Sequence, residues 1–393
     1  MSVRLATFNV ENLFARAKAM NTATWQQGEP ALAAFQDFTT VSAKAKYTDQ
    51  DKQAMLAAME TLQILVRTPE GALRRNPDQF SAWALLRENR GDFLVAPDNG
   101  DARIDATGRG DWIGWVELIV EPVDEIGTRM TAKVINELAA DVLCLVEAED
   151  RPSLVRFNSE MLGGRYGHGI LVDGNDQRGI DVGLFCRAEI EILWLQSNVD
   201  VPDPARPKKP LFSRDCPVYH LRLPGGSEIF LLLNHLKSQS FVGGNPDPLR
   251  RRQSAKVRDI YDQLRADGAE FVAVMGDLNK GPDRTDPTKH PTLEPLLGPG
   301  SPLVDAYDFA GFQVGNRPGS FQSCTITNRL DYILLSPDLA AKFISGGVFR
   351  KGLWGNPKNK NPPKPEVWEI YPEIKASQNA ASDHAAVWVD LDL

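Results

Sequence analysis

Short apolar runs separated by turn-forming residues set the rhythm of the chain: Val3–Val10, Asp141–Val146, Ile180–Phe185, Ile190–Leu195, Val218–Leu223, Ile229–Asn234, Phe271–Met275, Leu330–Leu335 and Ala386–Leu391. They are rich in Val, Ile, Leu and Phe and flanked by Gly, Pro, Asn or Asp, which predicts strands. Pro224-Gly225-Gly226-Ser227 joins two of them as a hairpin. Helical spacing is clear in fewer places. Ile126, Met130, Val134 and Leu138 form an apolar stripe on a helix that runs straight into the strand beginning at Asp141. Leu249, Val257, Ile260, Tyr261 and Leu264 mark a second helix ending near Gly268; Asp49–Arg67, opened by Thr48 and closed before Pro69, predicts a third. Strands outnumber helices, and hairpins mix with helix–strand units, so an α+β layered sandwich fits better than a doubly wound parallel sheet.

Composition narrows the class. With 393 residues, 42% apolar and 24% charged, the chain is excluded from disordered, coiled-coil and collagen-like classes and is long enough for one large domain or two ordinary ones. The net charge of −8 repels a polyanion over distances up to the Debye length of about 8 Å, so any nucleic-acid contact must use local basic patches. Residues 1–8 lack the basic and apolar regions of a secretion signal, and no apolar run is long enough to span a bilayer. A cytoplasmic product without stable membrane insertion is expected; any membrane contact would rest on Trp112, Trp115 and Phe241. Cys144, Cys186, Cys216 and Cys324 show no C-x-x-C spacing and read as reduced core thiols. Gly355–Pro365 and the Pro-rich Val201–Pro210, which carries Arg206, Lys208 and Lys209, read as loops.

Candidate chemistry sits where the strands end. Phe8-Asn9-Val10-Glu11-Asn12, Leu145-Val146-Glu147, Leu233-Asn234-His235-Leu236-Lys237, Met275-Gly276-Asp277-Leu278-Asn279 and Ser382-Asp383-His384 each place carboxylates, carboxamides or imidazoles beside an apolar strand. Any one of them could be a turn, a cap or a surface residue. Together they form a set that is costly to gather at sheet ends unless a cation and a phosphate pair with it.

The ordered set resembles the endonuclease/exonuclease/phosphatase superfamily of metal-dependent phosphoesterases. Thr7–Leu13 looks like its opening motif and Asp141–Glu147 like the second, with Val146 where a Gln is usual. Asn234–Ser238, Gly276–Asn279, Arg329–Leu334 and Ser382–His384 resemble the remaining four, in the family's order. The resemblance implies a four-layer α/β/β/α sandwich of two mixed, mainly antiparallel sheets flanked by helices. It also implies Glu147 as the principal ligand of Mg²⁺, with Mn²⁺ or Ca²⁺ as alternatives, and Asn9 and Asp383 completing that shell. Asp277 would orient or deprotonate the attacking water, Asn279 would hold a phosphate oxygen, and His384 would bind the scissile phosphate while paired to Asp331. His235 would be a second donor and points to the deoxyribonuclease-I-like and sphingomyelinase-like branches. Arg178–Phe185 and Phe212–Val218 look like segments of bacterial nuclease-type members, which makes Asn12, Arg178, Arg214 and Lys237 candidate substrate contacts. Alternatively, Arg178 caps a hairpin and Arg214 pairs with Asp215. Arg250-Arg251-Arg252 offers a cationic strip or, equally well, the exposed turn of a helix. His168, His220 and His290 lie in no motif and read as structural.

Family members usually connect the first two motifs briefly, whereas here residues 16–122 intervene. This insertion carries the Asp49–Arg67 helix, a second helix around Pro77–Arg90, and hairpin-like pieces at Phe93–Val95, Asp98–Gly100 and Trp112–Val120. Leaving and re-entering the core near Asn9 and Asn12, it is expected to pack beside the active-site mouth and limit substrate entry. The resemblance thus implies a phosphodiesterase of nucleic acid, foremost a DNA endonuclease or exonuclease. The alternatives are a phosphoesterase of a small substrate such as an inositol phosphate, a nucleotide or a sphingomyelin-like head group, and a non-catalytic binding module.

Overall fold

The computed structural model describes residues 2–13, 15–20, 22, 25–79, 81–97, 100–122, 126–176, 179–239, 244–354 and 368–393. Arg178, Phe241, most of the Asp98–Gly100 turn and the Gly355–Pro365 stretch fall outside these, as does the side chain of Asn12. The chain divides into two compact units, one of Met1–Phe14 with Asp124–Leu393, the other of Ala15–Val123.

Among the described residues the larger unit holds two large sheets. The first is seven-stranded, ordered His168–Val172, Asp181–Cys186, Val142–Ala148, Ser2–Leu13, Ala386–Asp392, Phe343–Phe349 and Phe312–Gln313. The second is six-stranded, ordered Glu191–Gln196, Val218–Arg222, Glu228–His235, Phe271–Asp277, Asp331–Leu335 and Val304–Asp305. Most pairs are antiparallel; Ser2–Leu13 with Val142–Ala148, Glu228–His235 with Phe271–Asp277 and Phe312–Gln313 with Phe343–Phe349 are parallel. The sheets face one another through Leu5, Cys144 and Leu184 on one side and Leu231, Met275 and Ile333 on the other. The outer face of the first sheet buries Phe8 and Leu143 under the helices Ile126–Leu138 and Arg151–Met161, through Met130, Leu138 and Phe157. Leu232 and Val274 do the same beneath Val257 and Tyr261 of the helix Asp247–Ala266. This is the expected four-layer sandwich. It explains why Val142–Ala148 reads as a nearly unbroken apolar run: with both faces covered, every side chain must be tolerated in a core. Each fully buried Leu of this kind contributes about 1.5–3 kcal/mol.

The hairpin at Pro224–Ser227 joins Val218–Arg222 to Glu228–His235, with Gly226 at φ +87. All four cysteines are free and buried. Val201–Pro210 departs from the loop expectation: Pro202–Asp203 and Arg206–Pro210 pair as a short ribbon.

The smaller unit has its own core around Phe38, Met55, Met59, Phe93 and Trp112, the last two stacked at 3.8 Å. Its helix Asp49–Thr61 opens with a reciprocal cap, Thr48 Oγ1 accepting from Asp51 N–H and the Asp51 carboxylate accepting from Thr48 N–H. The helix is shorter than expected because Gln63, at φ +58, turns the chain out of it; Leu65–Arg67 then pairs as a strand with Leu73–Arg75. Among the described residues of Pro77–Arg90 no helix forms. Ala84–Arg90 is a strand paired with Ile113–Leu118, cross-strand pairing having outweighed the helical preference of its Leu, Arg and Glu residues. A helix over Trp25–Ser42 was not expected. No helix among the described residues is long and apolar enough to cross a membrane.

Candidate active site

Register brings the site together in the larger unit. Across three neighbouring strands of the second sheet, His235 lies opposite Asp277 and Asp277 opposite Asp331. In the first sheet, Ser2–Leu13 runs beside Val142–Ala148 in regular register as far as Asn9 and Val146, after which both strands bulge before pairing again at Leu13 and Ala148. The bulged residues Glu11 and Glu147 have φ of 40 and 66, a left-handed conformation that turns their side chains out of the strand alternation. Ser382 fixes the last motif to the first: its hydroxyl donates to the Asn9 carbonyl at 2.7 Å and accepts from His384 N–H at 2.9 Å.

Gly276 sets the aim of Asp277. Its φ is +129, and a Cβ there would lie 2.0 Å from the Asn234 carbonyl oxygen on the neighbouring strand. Gly276→Ala is therefore expected to lower stability by about 3 kcal/mol or more, read as a drop in the denaturant midpoint; a midpoint within about 0.5 kcal/mol of wild type would show that this backbone can relax without cost.

Asp277 is buried and heavily hydrogen-bonded. Its carboxylate accepts from Asn279 N–H at 2.7 Å, Asn279 Nδ2 at 2.9 Å and Asn9 Nδ2 at 3.3 Å. Burial pushes its carboxyl well above the usual carboxylate range; the positive His384 works against that rise, and Asp331 and Glu147 add to it. His235 Nε2 stands 3.6 Å from both Asp277 Oδ2 and Glu147 Oε1, bridging the two sheets' carboxylates. His384 Nδ1 meets Asp331 Oδ2 at 2.8 Å, and Ser320 Oγ donates to the same oxygen at 2.6 Å. Burial disfavours a charged His384, but the adjacent Asp331, Asp277 and Asp383 outweigh it and lift the imidazolium to about 10. The ring of Phe321 lies 4.7 Å from that of His384.

At the open side stand Glu11, Glu147 and Asp383. The Glu147 and Asp383 side chains keep 21% and 34% exposure, enough to reach a solvent-borne ion. Burial and then the charges of Asp383 and Glu147 push the Glu11 carboxyl up, while its oxygen accepts Asp383 N–H at 2.7 Å. Burial likewise raises Asp383, against the pull of His384. Hard carboxylate oxygens near one another suit a divalent cation, which would relieve their repulsion. Asp277, Asp331 and His384 also come close enough to hold a metal ion, each offering an atom within 4.8 Å of the others. Asp331, however, already serves His384 and Ser320.

Other expected residues lie differently. Both ends of the Asn9 carboxamide are engaged, Nδ2 on Asp277 and Oδ1 on Glu11 N–H at 3.1 Å. Arg214 is 2% exposed and pairs with Asp176 at 3.0 Å, not with Asp215, whose carboxylate accepts the Asn198 and Cys216 N–H groups. Arg250, Arg251 and Arg252 are no open cationic strip: they pair with Asp247, Glu294 and Asp203, and Arg250 is fully buried. His220 pairs with Glu228 and stacks on Phe230, and burial next to Arg329 lowers His290 to about 4. Sequence reasoning passed over Glu11 and Ser320. Glu11 stands inside the opening motif; Ser320 belongs to no motif.

Residues 124–384 match the Endonuclease/Exonuclease/phosphatase family. No curated protein matches the chain. Among solved structures it is similar to an endonuclease/exonuclease/phosphatase family protein of Bacteroides thetaiotaomicron, at 18% identity and a TM-score of 0.49, over 68% of this chain and 88% of the other. It is also similar to a mannosyl-6-phosphatase from the same organism (18% identity, TM-score 0.47, 68% and 92% covered) and to the human nocturnin catalytic domain (15%, 0.47, 68% and 86%). With the family match extending over more than half of its length, and the four-layer fold and motif geometry both in place, the chain belongs to the Endonuclease/Exonuclease/phosphatase family, whose members are phosphoester hydrolases that generally depend on a divalent metal.

Proposed function

We propose that this chain is a divalent-metal-dependent phosphodiesterase of nucleic acid, DNA foremost. The observation that carries the chemistry is the buried His384–Asp331 pair at 2.8 Å beside Asp277, with Glu11, Glu147 and Asp383 crowded at the open side. Glu147, supported by Glu11, Asp383 and Asn9, would hold Mg²⁺, which when bound neutralises negative charge on the phosphoryl oxygens. Asp277, held by Asn9 and Asn279, orients the attacking water and takes its proton, for which its raised proton affinity suits it. His384 spends Nδ1 on Asp331, which leaves Nε2 to donate to a phosphoryl oxygen with a full positive charge behind it. His235 is a second donor on the same side. A polymeric substrate is supported by Lys237, two residues beyond His235, which lines a cleft with further cations.

A small phosphoester is favoured by one observation: the Arg250–Arg252 strip is internally paired and the chain as a whole carries −8. The two readings separate on a panel of supercoiled plasmid, linear duplex, single-stranded DNA, RNA and bis-p-nitrophenyl phosphate with Mg²⁺ or Mn²⁺, each with an EDTA control. Metal-dependent cutting of a polymer is the expected result. Hydrolysis of the small diester alone moves the substrate to small phosphoesters, and no hydrolysis of any of them leaves a binding module.

A further inference from the structure

Beside the site, within the larger unit, lies a cleft of about 470 Å³ lined by Arg206, Lys209, Lys237, Arg252, Asn175 and Ser213 among others, none of its lining residues being acidic. We infer that it holds a second phosphate of the substrate, one removed from the phosphate undergoing hydrolysis; this rests on the phosphodiesterase reading above.

Three features argue that the cleft is built for an anion. Its guanidiniums outnumber the carboxylate that serves them: Arg206 Nε and Arg252 Nε both pair with the single, fully buried Asp203, at 2.9 and 2.7 Å, so two positive charges share one negative charge, and Lys209 adds a further positive one. A cleft lined by one sign of charge with protein walls focuses its field, so it can attract phosphate on a molecule whose overall charge repels it. Its floor is fixed by buried groups. Gln253, with no exposed surface, accepts Lys237 N–H at 2.8 Å and donates to the Leu211 carbonyl at 3.0 Å, tying two of the lining segments together. The fully buried Arg250 holds the Lys237 and Ser238 carbonyls at 2.7 and 3.0 Å. Such a floor lets the cations bind without first paying the entropy of ordering the backbone.

Position ties the cleft to the reaction. Lys237 follows His235 by two residues, at most about 7 Å of extended chain. The strand Arg206–Pro210 is exposed along its length, so its side chains meet a substrate without disturbing the core. A second phosphate can come from a nucleic-acid strand or from a small polyphosphorylated molecule, and the shared chemistry is a phosphate group held by guanidinium and ammonium donors.

Lys209→Glu and Lys209→Ala test this in two ways. In EDTA, binding of fluorescein-labelled pentathymidylate and competition by inorganic tripolyphosphate are followed by anisotropy. Both substitutions are expected to weaken binding at least tenfold and to flatten its salt dependence. With metal, kcat/KM for pentathymidylate divided by kcat/KM for bis-p-nitrophenyl phosphate is expected to fall at least tenfold. Tripolyphosphate binding without pentathymidylate binding makes the occupant a small polyphosphate. Unchanged binding of both probes, or an unchanged kinetic ratio in a folded variant, overturns the cleft as a phosphate site. Absence of diester hydrolysis in wild type overturns the phosphodiesterase reading instead, and the binding measurements still judge the cleft.

Discussion

Glu147→Gln is expected to abolish metal-supported hydrolysis, lowering turnover of bis-p-nitrophenyl phosphate by at least about 10³-fold, or about 4 kcal/mol of transition-state stabilisation, while the protein still folds. The substitution keeps the side chain's size and the left-handed backbone at φ 66 but removes the charge from the oxygen set that Glu11 and Asp383 complete. Gln offers only a neutral carbonyl, a poorer donor to a hard cation. Two readouts separate lost metal binding from lost fold. Circular dichroism should superpose on wild type, and the rise in melting temperature that Mg²⁺ gives wild type should vanish, because a ligand stabilises only through its binding to the folded state. Retained activity together with a retained Mg²⁺-induced rise would remove Glu147 from the metal site.

His384→Gln carries the second large effect, a loss of about 10²–10³-fold in turnover from removal of a positioned donor aimed at developing charge. Metal binding, read as the Mg²⁺ dependence of melting temperature, should change little; an effect below tenfold would end its catalytic role. Its pH behaviour gives the sharper signature. The imidazolium is held near 10 in the fold, above its ordinary value of 6.5, because Asp331, Asp277 and Asp383 outweigh burial. A group whose folded value is raised stabilises the fold fully below its unfolded value, and that contribution is lost as pH rises through the folded value. In EDTA, the stability difference between wild type and His384→Gln should therefore be constant below about pH 6.5 and shrink steadily towards about pH 10. Asp331→Asn removes the largest of the charges favouring the imidazolium, so the alkaline limb of its pH–rate profile should move to lower pH. A difference independent of pH, or an unmoved limb, would show that His384 is not held charged by Asp331.

The nine apolar runs that read as strands do form the two sheets, because their Val, Ile, Leu and Phe content and their turn residues agree with where the chain is buried. Three strands of the first sheet and one of the second escaped that reading, Phe312–Gln313 and Val304–Asp305 being only two residues long. Phe343–Phe349 carries Ser345-Gly346-Gly347, which weakens its apolar pattern, yet the absence of Cβ atoms suits Gly346, where one would lie 2.7 Å from the Phe312 ring. His168–Val172 is short and begins on His168-Gly169. The helix Trp25–Ser42 hides behind Pro30, although Ala31, Ala34 and Phe38 have the spacing of one buried face. The grouping of polar side chains was legible where they lie in a strand-end motif, as His235, Asp277 and Asp331 do. It was not legible where tertiary pairing decides: nothing in the local sequence shows that Arg214 turns inward to Asp176, or that Ser320 crosses to Asp331.

The central claim, that this site hydrolyses phosphodiesters with the help of a divalent cation held at Glu147, is tested most directly by one measurement on the wild-type protein. The rate of bis-p-nitrophenyl phosphate hydrolysis is followed after EDTA treatment and then as Mg²⁺ is restored. The account predicts no turnover in EDTA and a saturable return of activity with Mg²⁺ that Glu147→Gln does not share; full activity in EDTA, or equal Mg²⁺ activation of both proteins, would contradict it.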